Sequence, residues 1–237
     1  MSEKYFRFKQ FVINQENAAM KVGTDAVILG AYVNPQNAKK ILDVGTGTGI
    51  IALMLAQKSD AVIDAVEIDK NSFLQAKENF ENSKWEKRIN VYNESFQEYS
   101  KKISFKYDII VSNPPYFVNS YKSIFEEKNI TKHNVNLSLN ELIECSTNIL
   151  DCSGIIYLII PSDNLQKIVL LAEKEKLYCN EVLNIFPKPY SKPKRAVLKF
   201  EFVEKKLIEK KLTLENEERH DYTDEYKNFT RDFYLFL

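Results

Sequence analysis

The heptapeptide DVGTGTG at residues 43–49 constrains the fold of this chain more than any other feature. The apolar run KILDV leads into it, and the run IIALMLAQK follows it directly. Glycine adopts positive φ without steric cost and lets the backbone approach a ligand closely. Gly45, Gly47 and Gly49 therefore predict a sharp turn from a strand into a helix around a bound nucleoside. A tight turn without a ligand is the alternative, and so dense a glycine pattern in this context disfavours it.

The rest of the chain alternates short β-branched runs with stretches of helical periodicity. This alternation is typical of βαβ units, so we expect an α/β fold with a Rossmann-like, doubly wound, mostly parallel sheet of seven strands. The expected strands are residues 40–44, 61–67, 89–92, 107–111, 154–160, 181–186 and 196–203. The expected helices are residues 24–32, 50–58, 70–82 and 139–150, followed by one helix that Ser162 caps.

The length of 237 residues and the hydrophobic content of 44% fit one α/β domain. We expect an N-terminal extension at residues 1–38, a catalytic core at 39–203 and a polar C-terminal tail at 204–237. No apolar run approaches the roughly 18 residues that span a bilayer, and the N-terminus lacks a secretory pattern. Three cysteines without a CxxC pair or matched histidines indicate neither disulfides nor a metal site. A cytoplasmic monomer without a membrane or metal partner is the expectation.

The glycine spacing also selects among nucleoside cofactors. The dinucleotide pattern GxGxxG needs a sixth-position glycine where this chain has Ile50, so the pattern favours S-adenosyl-L-methionine over NAD. Asp43 can orient the loop or meet the cofactor's ammonium through water, and it would repel a pyrophosphate. Glu67, at the end of the second expected strand, can accept hydrogen bonds from ribose hydroxyls, although an exposed strand-end charge is the plainer alternative. Asp69 is expected to cap the next helix, and Ser95 to lie near the adenine of the cofactor.

The tetrapeptide NPPY follows the fourth expected strand and predicts the chemistry. An amine conjugated to a ring or carbonyl is a poor nucleophile because its lone pair is delocalised. The side-chain oxygen of Asn113 and the carbonyl of Pro114 can each accept an N–H bond and hold such a nitrogen against a methyl donor. Pro115 stiffens the loop, while Tyr116 is expected to stack on the substrate ring and Phe117 to form a wall of its pocket. A lone Asn-Pro-Pro is usually a turn, but this location favours catalysis.

Four segments together resemble one family of class I amino-methyltransferases. FRFKQF, MKVGTDAVILGAY, DVGTGTG and NPPYF are similar to the bacterial tRNA(Val) (adenine(37)-N6)-methyltransferase family over residues 5–203. The resemblance implies N6-methylation of the adenine beside the anticodon, with S-adenosyl-L-methionine as methyl donor and tRNA as partner. It also implies that Lys21 and Thr24 lie over the cofactor's amino-acid end, and that Asn113 and Tyr116 hold the adenine, with Asn113 next to the cofactor. A helix cap is a second, compatible role for Thr24.

Two basic segments are candidates for the contact with tRNA. The formal net charge is zero, so any binding of nucleic acid depends on local patches. Residues 4–11 interleave Lys and Arg with aromatic rings, which is also the pattern of an edge strand. In the proline-rich loop at residues 187–195, Lys192, Lys194 and Arg195 are expected to contact phosphates, although a solvated loop is equally ordinary. The acidic stretch at residues 215–225 is expected to face away from RNA.

Other functions remain open at this stage. An N5-glutamine methyltransferase of a peptide release factor also uses NPPY on a planar amide, and other rRNA or DNA base amino-methyltransferases share the motif. A nicotinamide oxidoreductase is disfavoured by Ile50 and leaves NPPY unexplained. A non-catalytic RNA-binding protein would have a degraded glycine loop or a replaced Asn113, and this sequence has neither.

Overall fold

A computed structural model describes residues 4–18, 20–35, 37–115 and 137–235. The strands in this part of the chain are β1 (Tyr5–Arg7), β2 (Val12–Asn14), β3 (Lys40–Val44), β4 (Val62–Val66), β5 (Ile89–Tyr92), β6 (Tyr107–Ser112), β7 (Leu150–Pro161), β8 (Tyr178–Phe186), β9 (Arg195–Glu201) and β10 (Ile208–Thr213). The helices are α1 (Thr24–Tyr32), α2 (Ile50–Lys58), α3 (Lys70–Glu81), α4 (Phe96–Lys102), α5 (Leu139–Ile149), α6 (Leu165–Lys174) and α7 (Asp224–Thr230). Within these ranges, no helix is long and apolar enough to cross a bilayer.

Strands β3 to β10 form one sheet in the order β10-β8-β9-β7-β6-β3-β4-β5. Strand β9 runs antiparallel to β7 and β8, and the other neighbouring pairs are parallel. From β3 the chain continues to β4 and β5 on one side, and then returns to β6 and β7 on the other. In open α/β sheets, ligands bind at the carboxyl ends of the strands where the order reverses in this way. The topology therefore places the glycine loop after β3 beside the NPP segment after β6.

The expected count of seven strands is wrong, because the sheet has eight strands within the described residues. The additional strand, β10, pairs in parallel with β8 and lies in the segment that we expected to be a polar tail. An edge strand is half solvated, so it lacks the continuous apolar run by which central strands are recognised. Of the residues in β10, Leu212 is buried, and the first four are exposed.

Helices cover both faces of the sheet, which explains why the central strands are apolar on both sides. Ile41 faces a core formed with α1, α2 and α3, whereas its neighbour Leu42 faces a second core formed with α4, α5 and α6. Side chains alternate between the two faces of a strand, so the run KILDV contributes to both cores.

A separate two-stranded sheet of β1 and β2 joins the N-terminal residues to the C-terminal ones. The ring of Phe8 stacks on Phe11 at 4.7 Å and on Tyr234 at 5.7 Å between centroids. The amide of Lys9 donates to the carbonyl of Phe233 at 2.8 Å. Residues 4–11 therefore comprise the short strand β1, in which Arg7 is exposed, and a connection to β2 in which Phe8 and Phe11 are buried.

The end of β7 differs from the expected cap. Ser162 begins a short 3-10 turn, Ser162–Asn164, and α6 starts only after Asn164. The Ser162 hydroxyl has no hydrogen-bond partner in the described part of the chain. The expectation that Ser162 caps the helix is wrong, because the 3-10 turn displaces the helix start by three residues.

Candidate active site

The glycine loop between β3 and α2 has the backbone that its sequence predicts. Gly45, Gly47 and Gly49 have φ of 71°, 57° and 84°, the left-handed region that disfavours other residues. A β-carbon at Gly45 or Gly47 would meet no atom within 4 Å, whereas one at Gly49 would lie 2.4 Å from the Phe80 ring. Packing against α3 thus requires Gly49 to lack a side chain. The other two glycines leave open space beside the backbone.

Asp43 lies beneath this loop and is fully buried. Its Oδ2 accepts a hydrogen bond from the Thr46 hydroxyl at 2.6 Å. Burial raises the pKa of the Asp43 carboxyl to about 7, while hydrogen bonds from the Thr46 hydroxyl and the Ala52 amide oppose the rise. The side chain therefore braces the loop from the inside, which is the first of the two roles expected for it.

Glu67 directly follows β4 and is buried, so the alternative of an exposed strand-end charge is wrong. Its Oε2 accepts from the Gly47 amide and its Oε1 from the Asp69 amide, each at 2.9 Å. Burial raises the pKa of the Glu67 carboxyl against these backbone hydrogen bonds. Asp69 caps α3 as expected, because its Oδ1 accepts from the Ser72 amide at 2.8 Å. The carboxylate of Glu67 is thereby held between the glycine loop and the start of α3.

A cavity of 460 Å³ opens at this edge of the sheet. This volume lies within the roughly 300–1,000 Å³ that is usual for small-molecule sites. Its walls bring together residues that the sequence predicted from four separate segments: Gly45, Gly47, Glu67, Ser95, Asn113 and Pro115. The carboxyl ends of β3, β4, β5 and β6 thus meet around one space.

Apolar residues of the wall were missed by the sequence interpretation. Ile68, Phe96 and Leu137 line the cavity, and Ile68 is 47% exposed. A large exposed aliphatic residue next to a buried strand-end carboxylate is the signal that could have identified Ile68, because it offers an apolar face to a planar ring. Ser95 lines the same wall, where its hydroxyl caps α4 by accepting from the Glu98 amide at 3.2 Å.

The NPP segment leaves β6 beside the glycine loop. The Ser112 hydroxyl donates to the Val44 carbonyl at 2.8 Å and ties the ends of β6 and β3 together. Asn113 and Pro115 line the cavity, and Pro114 is buried between them. The residues Tyr116 and Phe117, predicted to hold the substrate ring, lie outside the described residues.

Lys21 and Thr24 are close in sequence to a residue of the cavity wall, but neither of them lines the cavity within the described residues. Met20 lines the cavity, and the Val22 amide donates to Gln15 Oε1 at 2.8 Å. Lys21 is exposed. Helix α1 starts at Thr24 with Gly23 as its N-cap and without a side-chain cap, so the capping role considered for Thr24 is not found.

The loop at residues 187–195 lies at the same edge of the sheet, since Arg195 pairs in register with Pro161 at the end of β7. Arg195 Nε forms an ion pair of 2.8 Å with Asp25 Oδ2, and both side chains are partly buried. Lys192 and Lys194 are exposed. The acidic stretch begins beside this loop, because the Glu215 amide donates to the Pro187 carbonyl at 3.0 Å.

The part of the chain that the structure describes holds no group of three or more His, Cys, Asp or Glu residues suited to a metal ion. The three cysteines are free thiols. The polar side chains that line the cavity include carboxylates, hydroxyls and the amides of Gln97 and Asn113.

Comparisons with known proteins bear on the family and the fold of this chain. The Methyltransferase small domain model matches residues 18–174. A tRNA1(Val) (adenine(37)-N6)-methyltransferase of Bacteroides fragilis is 44% identical over 236 residues, and the match covers 99% of each chain. One of Trichodesmium erythraeum is 43% identical over 239 residues, again covering 99% of each chain. Among solved structures, a predicted O-methyltransferase of Agrobacterium tumefaciens, 17% identical, has a TM-score of 0.71 over 88% of this chain and 96% of its own. This last likeness confirms the Rossmann-like methyltransferase fold.

Proposed function

Since this chain belongs to the family of tRNA1(Val) (adenine(37)-N6)-methyltransferases, we propose that it transfers a methyl group from S-adenosyl-L-methionine to N6 of adenine 37, beside the anticodon. The observation that carries the proposal is one cavity whose walls include the glycine loop, Glu67 and Asn113. A cofactor site and an amine-holding segment meet there, as methyl transfer between two bound molecules requires.

The residues of the cavity fit S-adenosyl-L-methionine. Gly45 and Gly47 leave room for a ligand against the backbone, since a β-carbon added at either position would meet no atom within 4 Å. The Glu67 carboxylate has about four acceptor positions, and the Gly47 and Asp69 amides take two of them, so acceptor capacity remains for a ribose hydroxyl. Ile68 and Phe96 supply apolar surface for a purine. When bound, the cofactor supplies an electrophilic methyl group.

Asn113 and Pro114 are proposed to act on the adenine amine. The Asn113 side-chain oxygen and the Pro114 carbonyl accept its two N–H bonds and direct the nitrogen lone pair towards the methyl group. No strong base is needed, because the methylated nitrogen gains positive charge and then loses its proton to water. Positioning of the two reactants contributes most of the acceleration, about 7–11 kcal/mol for well-aligned groups. Tyr116 and Phe117 are proposed to stack on and enclose the adenine.

The contact with tRNA is proposed to involve the basic loop at the carboxyl edge of the sheet. Lys192 and Lys194 are exposed there, while the Arg195 guanidinium forms an ion pair with Asp25. Lys21 and Thr24 are proposed to approach the amino-acid end of the cofactor, since Met20 beside them lines its cavity. We further propose that the chain acts as a monomeric, single-domain enzyme in the cytoplasm, where tRNA is modified.

The test is methyl transfer from radiolabelled S-adenosyl-L-methionine to tRNA1(Val) transcribed without modifications, followed by nucleoside analysis. A transcript with guanine at position 37 is the matched control, and a peptide release factor is the parallel acceptor. Label in N6-methyladenosine from the first transcript alone supports the proposal. Label only in the release factor would move the function to glutamine methylation.

A further inference from the structure

A second cavity, of 950 Å³, opens beside the N-terminus of α1, and its described lining shares no residue with the cavity at Glu67 and Asn113, which we call the cofactor cavity. We call it the aromatic cavity, because its described walls include five rings, together with Lys4, Arg7 and the backbone around Gly23. The rings belong to Tyr5, Phe6, Tyr222, Tyr226 and Tyr234. Three separate parts of the chain supply them, namely β1, the segment that includes α7, and the residues after α7.

Most of these rings form one continuous wall. The centroid of Tyr226 lies 5.3 Å from that of Tyr222 and 6.5 Å from that of Tyr234, which in turn lies 5.9 Å from Phe6. Tyr5 belongs to the same lining, yet its side chain is 50% exposed. Tyr226 itself is buried at 1% exposure, whereas Phe6, Tyr222 and Tyr234 are partly buried, so the surface open to another planar ring is that of Tyr5 and of the exposed parts of these three rings.

The charge of the lining is positive. Lys4 and Arg7 line the cavity, and no carboxylate does so among the described residues. Lys4 forms an exposed ion pair of 2.6 Å with Glu16, whereas Arg7 forms no ion pair within the described part of the chain. A guanidinium beside an exposed aromatic ring is a combination that can bind a phosphate together with a base.

The aromatic cavity neighbours the cofactor cavity through one short stretch of chain. Met20 lines the cofactor cavity, whereas Val22, Gly23 and Thr24 line the aromatic cavity. Two residues of extended chain span at most about 7 Å, so Met20 of one wall and Val22 of the other lie within about that distance.

We propose that the aromatic cavity binds an unstacked nucleotide of the tRNA anticodon loop that neighbours the target adenine, with its base against the rings and its phosphate on Arg7. The inference rests on the proposed function. An enzyme that methylates a base inside a stacked loop must extract that base, and its neighbours then lose a stacking partner. The aromatic wall replaces that partner.

The experiment measures the Kd of an unmodified tRNA1(Val) transcript by fluorescence anisotropy over a series of salt concentrations. Tyr5→Ala, at a half-exposed position, is expected to weaken binding about 5- to 150-fold, the range for loss of one base–aromatic stack. Tyr5→Phe keeps the ring and is expected to bind as the unsubstituted protein does. Arg7→Gln is expected to weaken binding and to lower the slope of log K against log salt by about one.

Two controls separate this site from general effects. Lys87→Gln removes one exposed charge that does not line the aromatic cavity, and it is expected to leave the Kd within about twofold of the original value. Binding of S-adenosyl-L-methionine, measured by calorimetry, is expected to stay unchanged in every variant, because none of these side chains lines the cofactor cavity.

The same preparations are assayed for methylation of adenine 37, so that the two proposals fail separately. If the unsubstituted protein methylates the transcript while Tyr5→Ala and Arg7→Gln both bind it normally, the inference is overturned and the function stands. If the variants lose binding but the unsubstituted protein never methylates adenine 37, the nucleotide site stands and the proposed target is wrong. Equal losses for Tyr5→Ala and Tyr5→Phe would also overturn the inference, since the ring would then be irrelevant.

Discussion

Substitution of Gly49 by alanine tests the packing of the glycine loop against α3. Gly49 has a φ of 84°, and an added β-carbon would lie 2.4 Å from the Phe80 ring. The left-handed backbone costs a non-glycine residue about 1–2 kcal/mol, and overpacking of a buried contact costs about 1–3 kcal/mol more. Gly49→Ala is therefore expected to lower the free energy of unfolding by about 2–5 kcal/mol.

Gly47→Ala is the matched control. Its φ of 57° carries a similar backbone cost, but a β-carbon there meets no atom within 4 Å. We expect a loss of only about 1–2 kcal/mol in the free energy of unfolding. Because Gly47 lines the cofactor cavity, the same substitution is expected to weaken binding of S-adenosyl-L-methionine. Gly49 is thus required for packing against Phe80, whereas Gly47 leaves space for the ligand.

Urea unfolding measures the stability of both variants, and calorimetry measures their cofactor affinity. In a chain of this length, each kcal/mol corresponds to a shift of about 2–4 °C in Tm, so the two variants are distinguishable. A double substitution that pairs Gly49→Ala with Phe80→Leu is expected to show coupling, since the smaller side chain relieves the contact. Equal destabilisation by Gly47→Ala and Gly49→Ala would refute the reasoning.

Four further predictions concern the active site and the basic loop. Asn113→Ala is expected to lower kcat about 100-fold or more with little change in the Kd of S-adenosyl-L-methionine, and an equal loss of cofactor binding would contradict its role. Glu67→Gln is expected to weaken cofactor binding about 10- to 150-fold by calorimetry, since it replaces a charged acceptor, and an unchanged Kd would count against the ribose contact. In the folded protein the Asp43 carboxyl keeps its proton up to about pH 7, whereas in the unfolded chain it releases the proton near pH 3.8. The free energy of unfolding should therefore fall by up to about 4 kcal/mol as pH rises through that window. Asp43→Asn should reduce this dependence in urea titrations at several pH values and leave the part due to Glu67, whose pKa burial also raises, whereas an unchanged dependence would exclude Asp43 as its source. Joint Lys192→Gln and Lys194→Gln substitution is expected to lower the salt slope of tRNA binding by about two, and an unchanged slope would exclude the loop from the interface.

Patterns confined to a few consecutive residues predicted the local parts of the site. The bounds of β3 and α2 agree with the sequence, the positive φ of Gly45, Gly47 and Gly49 follows from residue type, and Asp69 caps α3 as expected. These features depend on interactions within one turn or one strand, where side-chain chemistry and backbone sterics decide the outcome. The order of glycine loop, carboxylate and NPP also predicted which strand ends form the site.

Features that depend on distant parts of the chain came only from the tertiary structure. Arg195 forms an ion pair with Asp25, which is 170 positions away in the sequence. Phe8 near the N-terminus stacks on Tyr234 near the C-terminus. The polar strand β10 is recognisable only from the β8 edge with which it pairs. The sequence by itself determined the turn, the carboxylate and the amine-holding segment, because each is a local solution to a chemical requirement. The packing of the whole chain around the sheet decided which side chains complete the walls of the cofactor cavity and where the aromatic cavity lies. Packing energy depends on every neighbour at once, so these features do not follow from short stretches of sequence.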